Sequence, residues 1–230
     1  MRFLVLDLET VGVSNAADFI ATDDIEAPSN YVKPEAIASY KAKEAQKRIA
    51  GAALDLDLAR ICAAGTIYDA PVSHATVFTS EDDERGWLDA MASNLDPYSQ
   101  DFLTLITFNG HKYDLPLLMR RAKYLGVKFP KINLDRYRSP HIDLYEELTM
   151  KGAIKAHGLR WYMRRHGWTD LLDADPLKDG GADVAQACAE GRWEDIAAHV
   201  RVDVQGTLRL AQWLGLVPAT VMQPETAGAF

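Results

Sequence analysis

The chain opens with an apolar run, Phe3 to Leu6, that passes directly into two acidic residues, Asp7 and Glu9. A continuous apolar run predicts a buried strand over residues 2–7. Side chains along a strand alternate between its faces, so Asp7 and Glu9 project from the same side. Two neighbouring carboxylates there repel each other unless a proton or a cation compensates, and hard oxygen ligands suit Mg²⁺ or Mn²⁺. The alternative is a strand that leaves the core and carries both acids into solvent.

The rest of the chain predicts an α/β fold. Strand candidates at 59–70 and 72–79 indicate a hairpin, and a third strand is expected at 102–108. Helices are expected at 34–53, 82–94, 114–125, 184–189 and 192–214, with further short elements at 142–148 and 159–166. Strands alternating with helices after a hairpin favour a mixed β-sheet with helices on both faces. We expect a single domain over residues 1–230, with a helical insertion at about 11–57.

Composition excludes several classes of protein. With 48% hydrophobic and 25% charged residues, the 230-residue chain is ordinary globular sequence and is long enough to bury a core. No apolar run is long enough for a membrane span or a signal peptide. The two cysteines, Cys62 and Cys188, lack the spacing of a zinc site and read as buried apolar residues. We therefore expect a cytoplasmic protein with no membrane partner.

The charge is distributed unevenly. The net charge is −8, yet residues 111–168 carry thirteen Lys and Arg against five Asp and Glu, which leaves an acidic remainder. A basic region in an acidic body suits a local anionic ligand, although solvated helix faces would give the same pattern.

Two later motifs supply further acids. Asp114 follows the strand at 102–108, where ligand sites of α/β sheets lie, although it could instead cap the helix it begins. His199 and Asp203 are four residues apart on a predicted helix, so they share one face. The alternative for this last pair is an exposed charge pair of little consequence.

Together these motifs resemble the DEDD (DnaQ-like) 3′–5′ exonuclease superfamily, closest to the exonuclease domain of family B DNA polymerases and its stand-alone relatives. The matching stretches are FLVLDLETV, LITFNGHKYDLPLLMRRA, HIDLYEEL and GRWEDIAAHVRVDVQGTLRLAQWL. The resemblance implies a ribonuclease H-like fold.

The resemblance also implies a function. Asp7, Glu9, Asp114 and Asp203 would hold two divalent metal ions, Mg²⁺ or Mn²⁺, and His199 would join them as a catalytic residue. The reaction would be 3′–5′ hydrolysis of single-stranded DNA to nucleoside 5′-monophosphates. A separate DNA polymerase or replication protein is an expected partner. An exoribonuclease of the same superfamily and a catalytically weak nucleic-acid-binding protein stay open as alternatives.

The position of His199 departs from the family pattern. One subclass has Tyr four residues before the last Asp, and another has His five residues before it; here His199 lies four before Asp203. We still expect His199 to orient or deprotonate the water, since its ordinary pKa near 6.5 suits a base. His111 and His141 are weaker rivals for this role.

By the same resemblance, a smaller set of residues would contact the terminal nucleotide: Leu8, Thr10, Asn109, Tyr113 and Leu117. Asp143 matches a family acid, but we expect it to cap a helix. Candidates to follow the phosphates are Lys112, Arg120, Arg121, Lys123, Arg136, Arg138, Lys155, Arg160, Arg164 and Arg165. Trp161, Tyr162 and Trp168 are available for stacking on bases.

Overall fold

A computed structural model describes residues 2–69, 72–178 and 180–218. Its strands are β1 (Phe3–Gly12), β2 (Ala59–Tyr68), β3 (Ser73–Val77), β4 (Thr104–Thr107) and β5 (Ile142–Asp143). They form one sheet in the order β3-β2-β1-β4-β5. The neighbours β1, β2 and β3 are antiparallel, whereas β4 and β5 run parallel to β1. The predicted mixed sheet and its hairpin are confirmed. Residue 70, the last of the predicted strand 59–70, lies outside the described residues.

Strand β1 lies at the centre of the sheet, and its two faces pack against different layers. Leu4, Leu6 and Leu8 belong to one buried cluster, while Phe3 and Val5 belong to another. The alternation expected of a strand is therefore confirmed. The strand is longer than the predicted 2–7, because its pairing with β2 continues to Gly12.

Eight α-helices cover the described part of the sheet. Their bounds are α1 (Pro34–Ala50), α2 (Glu81–Leu95), α3 (Asp114–Tyr124), α4 (Leu144–Leu148), α5 (Leu159–Arg165), α6 (Thr169–Ala174), α7 (Gly181–Ala189) and α8 (Trp193–Trp213). Helices α2 and α3 pack on the Leu4 side, and α5, α6 and α8 pack on the Phe3 side. Helices on both faces of a mixed sheet confirm the α/β class.

Helix α8 lies unusually close to the sheet. At Gly65 in β2, a Cβ atom would come within 2.7 Å of the carbonyl oxygen of Val200 and 2.8 Å of the Val204 side chain. Gly65 pairs with Asp7 in the register of β1 and β2. The absence of a side chain at Gly65 therefore lets α8 approach the strand that carries the acids.

The chain between β1 and β2 is largely helical. It contains α1 and the 3₁₀ helices Ala16–Phe19, Thr22–Asp24 and Ala52–Leu54. Helix α1 begins at Pro34 as expected but ends three residues before the predicted end, at Ala50, where Gly51 forms the C-cap. None of the described helices is long and apolar enough to cross a membrane.

Candidate active site

Strand β1 carries the first two acids of the site. Asp7 and Glu9 continue the face of Phe3 and Val5, so both point toward the layer that contains α8. Both lie inside the strand and are half-buried, so the alternative of a strand end open to solvent is wrong. The pairing register shifts between Glu9 and Thr10, where the partner strand β2 has one extra residue, Cys62, in a β-bulge. Bulges often re-aim side chains beside active sites.

Helix α8 brings His199 and Asp203 to the same point. The Nε2 atom of His199 lies 3.4 Å from Oε1 of Glu9 and 3.7 Å from Oδ2 of Asp203. One ligand atom from each of these three residues lies within 4.8 Å of the other two, a grouping that could hold a metal ion. His199 is buried, so the alternative of an exposed charge pair is wrong.

Asp114 reaches the site from the turn after β4. Asn109 adopts a positive φ of 63° there, and a Cβ at Gly110 would come within 2.5 Å of Oγ1 of Thr107. The Asn-Gly pair therefore makes the tight turn that places Asp114 at the start of α3. Tyr113 holds the N-cap position, so Asp114 is not the capping residue.

Asp143 has a structural role in the same turn. Its carboxylate accepts backbone N–H groups from Asn109 at 2.8 Å, His111 at 3.0 Å and Tyr145 at 2.9 Å. It is the N-cap of α4, which confirms the expectation that it caps a helix.

The acids raise one another's pKa values. Burial and the charges of Asp203, Glu9 and Asp114 hold the pKa of Asp7 well above its usual range. The pKa of Glu9 rises to about 8, and burial is the main cause. The charge of His199 lowers this pKa, whereas the charges of Asp203 and Asp114 raise it further. Burial and the charge of Asp143 raise the pKa of Asp114 to about 7. Such values mark a cluster of buried carboxylates whose ionised form a bound cation would stabilise.

Asp203 shows the same strain. Burial raises its pKa, although His199 and Arg160 offset part of the effect. Its Oδ1 atom is buried and has no hydrogen-bond partner among the described residues. A buried carboxylate oxygen without a donor is costly, and a divalent cation would satisfy it.

A further acid, Asp175, was not predicted from the sequence. Its carboxylate oxygens lie 2.9 and 3.0 Å from Nδ1 of His199, and they also accept hydrogen bonds from Arg160 and from the backbone N–H of Leu177. Burial alone would raise the pKa of Asp175, but the hydrogen bonds from His199 and Arg160 lower it to about 2. Asp175 therefore stays ionised and fixes the orientation of the imidazole.

The same contacts govern His199. Burial would lower the pKa of His199, but the hydrogen bond to Asp175 and the charges of Glu9 and Asp203 outweigh it and raise the pKa to about 9. The rival histidines lie elsewhere. Nδ1 of His141 accepts the backbone N–H of Leu105, and Nδ1 of His111 lies 3.4 Å from Glu146. Only His199 among the three belongs to the group with Glu9 and Asp203.

The residues predicted to contact the substrate differ in how accessible their side chains are. Oγ1 of Thr10 donates to the carbonyl of Ala53 at 2.8 Å, and the Tyr113 hydroxyl donates to the same carbonyl. The 3₁₀ helix Ala52–Leu54 thus engages both side chains. The Leu8 side chain is buried in the core, which leaves only its backbone for a substrate.

Asn109 is half-buried in the turn, but Leu117 is 0% exposed in the core. The expectation that Leu117 contacts a base is therefore corrected, because its side chain offers no surface. Arg121 is corrected likewise as a phosphate contact: it is buried and makes two hydrogen bonds to the carboxylate of Glu84, at 2.7 and 2.8 Å.

The sheet, its helices on both faces and the acidic cluster define an α/β protein with a ribonuclease H-like fold. A family model described as RNase_H superfamily, RNase_H_2, matches residues 54–163, just under half of the chain. Comparison with curated proteins and with solved structures found no match. The match supports the RNase H superfamily for this chain and, with it, a nuclease-type activity. The matched range contains Asp114, whereas Asp7, Glu9, His199 and Asp203 lie outside it.

Proposed function

We propose that this protein is a two-metal 3′–5′ exonuclease that hydrolyses single-stranded DNA to nucleoside 5′-monophosphates. The observation that carries the proposal is the convergence of four carboxyl groups whose pKa values are raised. Asp7 and Glu9 come from within β1, Asp114 from the start of α3 and Asp203 from α8. The superfamily match supports nuclease chemistry. The direction, the product and the preference for DNA rest on the resemblance of the motifs.

The acids fit a metal centre by their chemistry. A phosphodiester is anionic, so a carboxylate cluster would repel it unless cations reverse the sign of the site. Glu9 and Asp203 offer oxygens within one small group, and Asp7 and Asp114 lie close enough to influence their charge. Divalent ions held by these residues would help to ionise water and would stabilise charge on the phosphate and the leaving oxygen.

His199 orients and deprotonates the attacking water through Nε2, because Asp175 holds its Nδ1 atom. The water oxygen attacks the phosphorus and its proton passes to Nε2. The bond from phosphorus to the 3′ oxygen breaks, and that oxygen leaves with the bonding electron pair and takes a proton from solvent. A neutral imidazole is required. The charges of Glu9 and Asp203 raise the pKa of His199, and cations bound to those carboxylates would lower it again.

The proposal includes a biological setting. A 3′ end must be supplied to the site, and a separate DNA polymerase or replication protein is the expected partner. The protein would then act on the strands that the partner releases or leaves unpaired.

The test is the cleavage of a single-stranded DNA oligonucleotide labelled at its 5′ end, in Mg²⁺, in Mn²⁺ and in EDTA. The proposal predicts a ladder that shortens from the 3′ end, requires metal and disappears in Asp7→Ala. Asp101→Ala, which changes an exposed acid, is the control and should cleave like the wild type.

A matched RNA oligonucleotide distinguishes the alternatives. Faster cleavage of RNA would replace the DNA assignment with an exoribonuclease. Absence of cleavage of both substrates in either metal would reject the nuclease and leave a nucleic-acid-binding protein.

A further inference from the structure

A second cleft lies on helix α5 and the C-terminal end of helix α8. Its cavity of about 460 Å³ is lined by His157, Trp161, Tyr162, Arg165, His166 and Trp213, which we term the aromatic cleft. This volume is within the range of clefts that hold small ligands, roughly 300–1,000 Å³. No lining residue is acidic, and none is among the acids and histidine proposed for catalysis.

The rings of the cleft are exposed rather than packed into the core. Trp161 is 40% exposed and Trp213 is 55% exposed, although large aromatic side chains usually bury most of their area. The imidazole of His157 stacks on Trp161, with the ring centroids 4.0 Å apart and the planes 16° from parallel. His166 contacts Trp213, with centroids 4.8 Å apart. His157 and Trp161 therefore already form a stack that another planar group could extend, while the planes of His166 and Trp213 are tilted by 57°.

The charged residues of α5 beside the cleft are all basic, and the next acid along the chain, Asp170, is paired with Arg209. Residues 148–169 include five Lys and Arg and no Asp or Glu. Arg164 and Arg165 are exposed, and neither forms a salt bridge with another residue in the part of the chain that the structure describes. Free guanidinium groups beside exposed rings suit a ligand that presents planar bases and phosphates together.

The cleft is joined to the candidate active site through one residue of α5. Arg160 directly precedes Trp161, and its guanidinium bonds to Asp175, which holds His199. Successive residues of α5 therefore serve the two sites. A strand whose 3′ end lies at the carboxylates could pass along this helix to the rings.

We propose that the aromatic cleft binds unpaired bases of a single-stranded nucleic acid upstream of the scissile end. The proposal rests on the proposed exonuclease function for its orientation, and it names single-stranded chains as the substrate class. Base stacking on Trp161 and Trp213 supplies affinity without sequence preference, and Arg164 and Arg165 hold the phosphates.

The test measures binding in EDTA, where cleavage is absent, so it does not depend on the nuclease activity. The probes are fluorescein-labelled oligothymidylate and oligouridylate of about twelve nucleotides. Trp161→Ala and Trp213→Ala should each weaken binding about fivefold or more, because stacking on one ring contributes about that factor at its lower limit. Trp213→Phe, which keeps a ring, should retain most of the affinity. Tyr98→Ala, which removes an exposed ring on the loop after α2, is the control and should bind like the wild type.

Arg165→Glu tests the charge without changing the rings. Arg165→Glu should weaken binding and reduce the salt dependence of the affinity. Arg165→Lys, which keeps the positive charge, should retain much of the wild-type affinity. Equal losses for both oligonucleotides indicate a site for either nucleic acid, and a loss confined to one identifies which of them the cleft accepts. Unchanged affinity in Trp161→Ala, Trp213→Ala and Arg165→Glu would overturn the proposal, as would a wild type that binds neither probe.

Cleavage then separates this proposal from the function on which it rests. If the cleft binds bases upstream of the scissile end, Trp213→Ala should slow the cleavage of a twelve-nucleotide substrate more than the cleavage of a trinucleotide, which offers fewer upstream bases. Loss of both activities would place Trp213 in the folding of the catalytic site and overturn the proposal. If the wild type binds through the cleft but cleaves nothing, the exonuclease fails while the cleft stands.

Discussion

Replacement of Asp114 by Asn should stabilise the protein in EDTA. Burial and the charge of Asp143 raise the pKa of Asp114 from 3.8 to about 7, so ionisation of this carboxyl opposes folding. Moving the pKa this far corresponds to about 4 kcal/mol, at about 1.4 kcal/mol for each tenfold change in the proton equilibrium. Neighbouring carboxyls take up protons as Asp114 ionises, so we expect a gain of about 2–4 kcal/mol in the free energy of unfolding.

The sign depends on pH. Below about pH 4 the carboxyl is protonated in both the folded and the unfolded protein, and the variant should match the wild type. Between about pH 4 and 7 the unfolded chain loses the proton that the folded carboxyl keeps, so the wild type loses stability that the neutral Asn retains. The largest difference is therefore expected near pH 8.5 and should be measured by urea unfolding followed by circular dichroism.

Bound metal should make the wild type more stable than Asp114→Asn. Mg²⁺ or Mn²⁺ should raise the free energy of unfolding of the wild type more than that of Asp114→Asn, because the variant has lost a ligand. Asp101→Asn, at an exposed acid, is the control and should change stability by less than about 0.5 kcal/mol at any pH. If Asp114→Asn is less stable than the wild type in EDTA near pH 8.5, the account of a strained carboxylate cluster is refuted.

Three further substitutions test a contact at the candidate site, a buried ion pair between α2 and α3, and the packing of α8 on the sheet. Asp175→Asn should lower kcat about 10- to 100-fold while Mn²⁺ affinity stays within about threefold, because it disturbs the imidazole rather than a proposed ligand; unchanged kcat in a cleavage assay would contradict this. Arg121→Ala should lower the free energy of unfolding by about 3–5 kcal/mol, because it leaves Glu84 buried and unpaired. In urea unfolding, adding Glu84→Gln should recover part of that loss, and a loss below about 1 kcal/mol in Arg121→Ala would contradict this prediction. Gly65→Ala should destabilise the protein by about 1–3 kcal/mol because the new Cβ meets the α8 backbone, whereas Gly86→Ala, with open space around it, should stabilise by about 0.5–1 kcal/mol; equal effects on thermal unfolding would contradict the close packing.

The local patterns of the sequence were sufficient for the sheet and for identifying which site residues share a face. Alternation along β1 correctly placed Asp7 and Glu9 on one face, and the spacing of four residues correctly placed His199 and Asp203 on one face of α8. These inferences depend on short-range geometry, which is fixed by the period of a strand or a helix. Their meeting point follows from α8 packing at Gly65, which no pattern within either segment reveals.

The contacts that were missed are long-range. Asp175 lies 24 residues before His199, in a turn that begins with Asp-Pro, and nothing in its sequence neighbourhood connects it with a histidine. Arg121 belongs to a basic run that suggested an exposed phosphate contact. Its helix instead turns it toward Glu84, and only the packing of α2 against α3 decides that. Sequence periodicity predicted which residues share a face, while tertiary packing decided which partners they meet.

The central claim is that Asp7, Glu9, Asp114 and Asp203 form a centre for two divalent ions. The direct measurement is the number of Mn²⁺ ions bound, determined by isothermal titration calorimetry on the wild type, Asp7→Asn and Asp203→Asn near pH 7.5. The account predicts two ions bound per wild-type chain and a loss of at least one of them in each variant. Failure of the wild type to bind Mn²⁺, or equal binding by all three proteins, would contradict it.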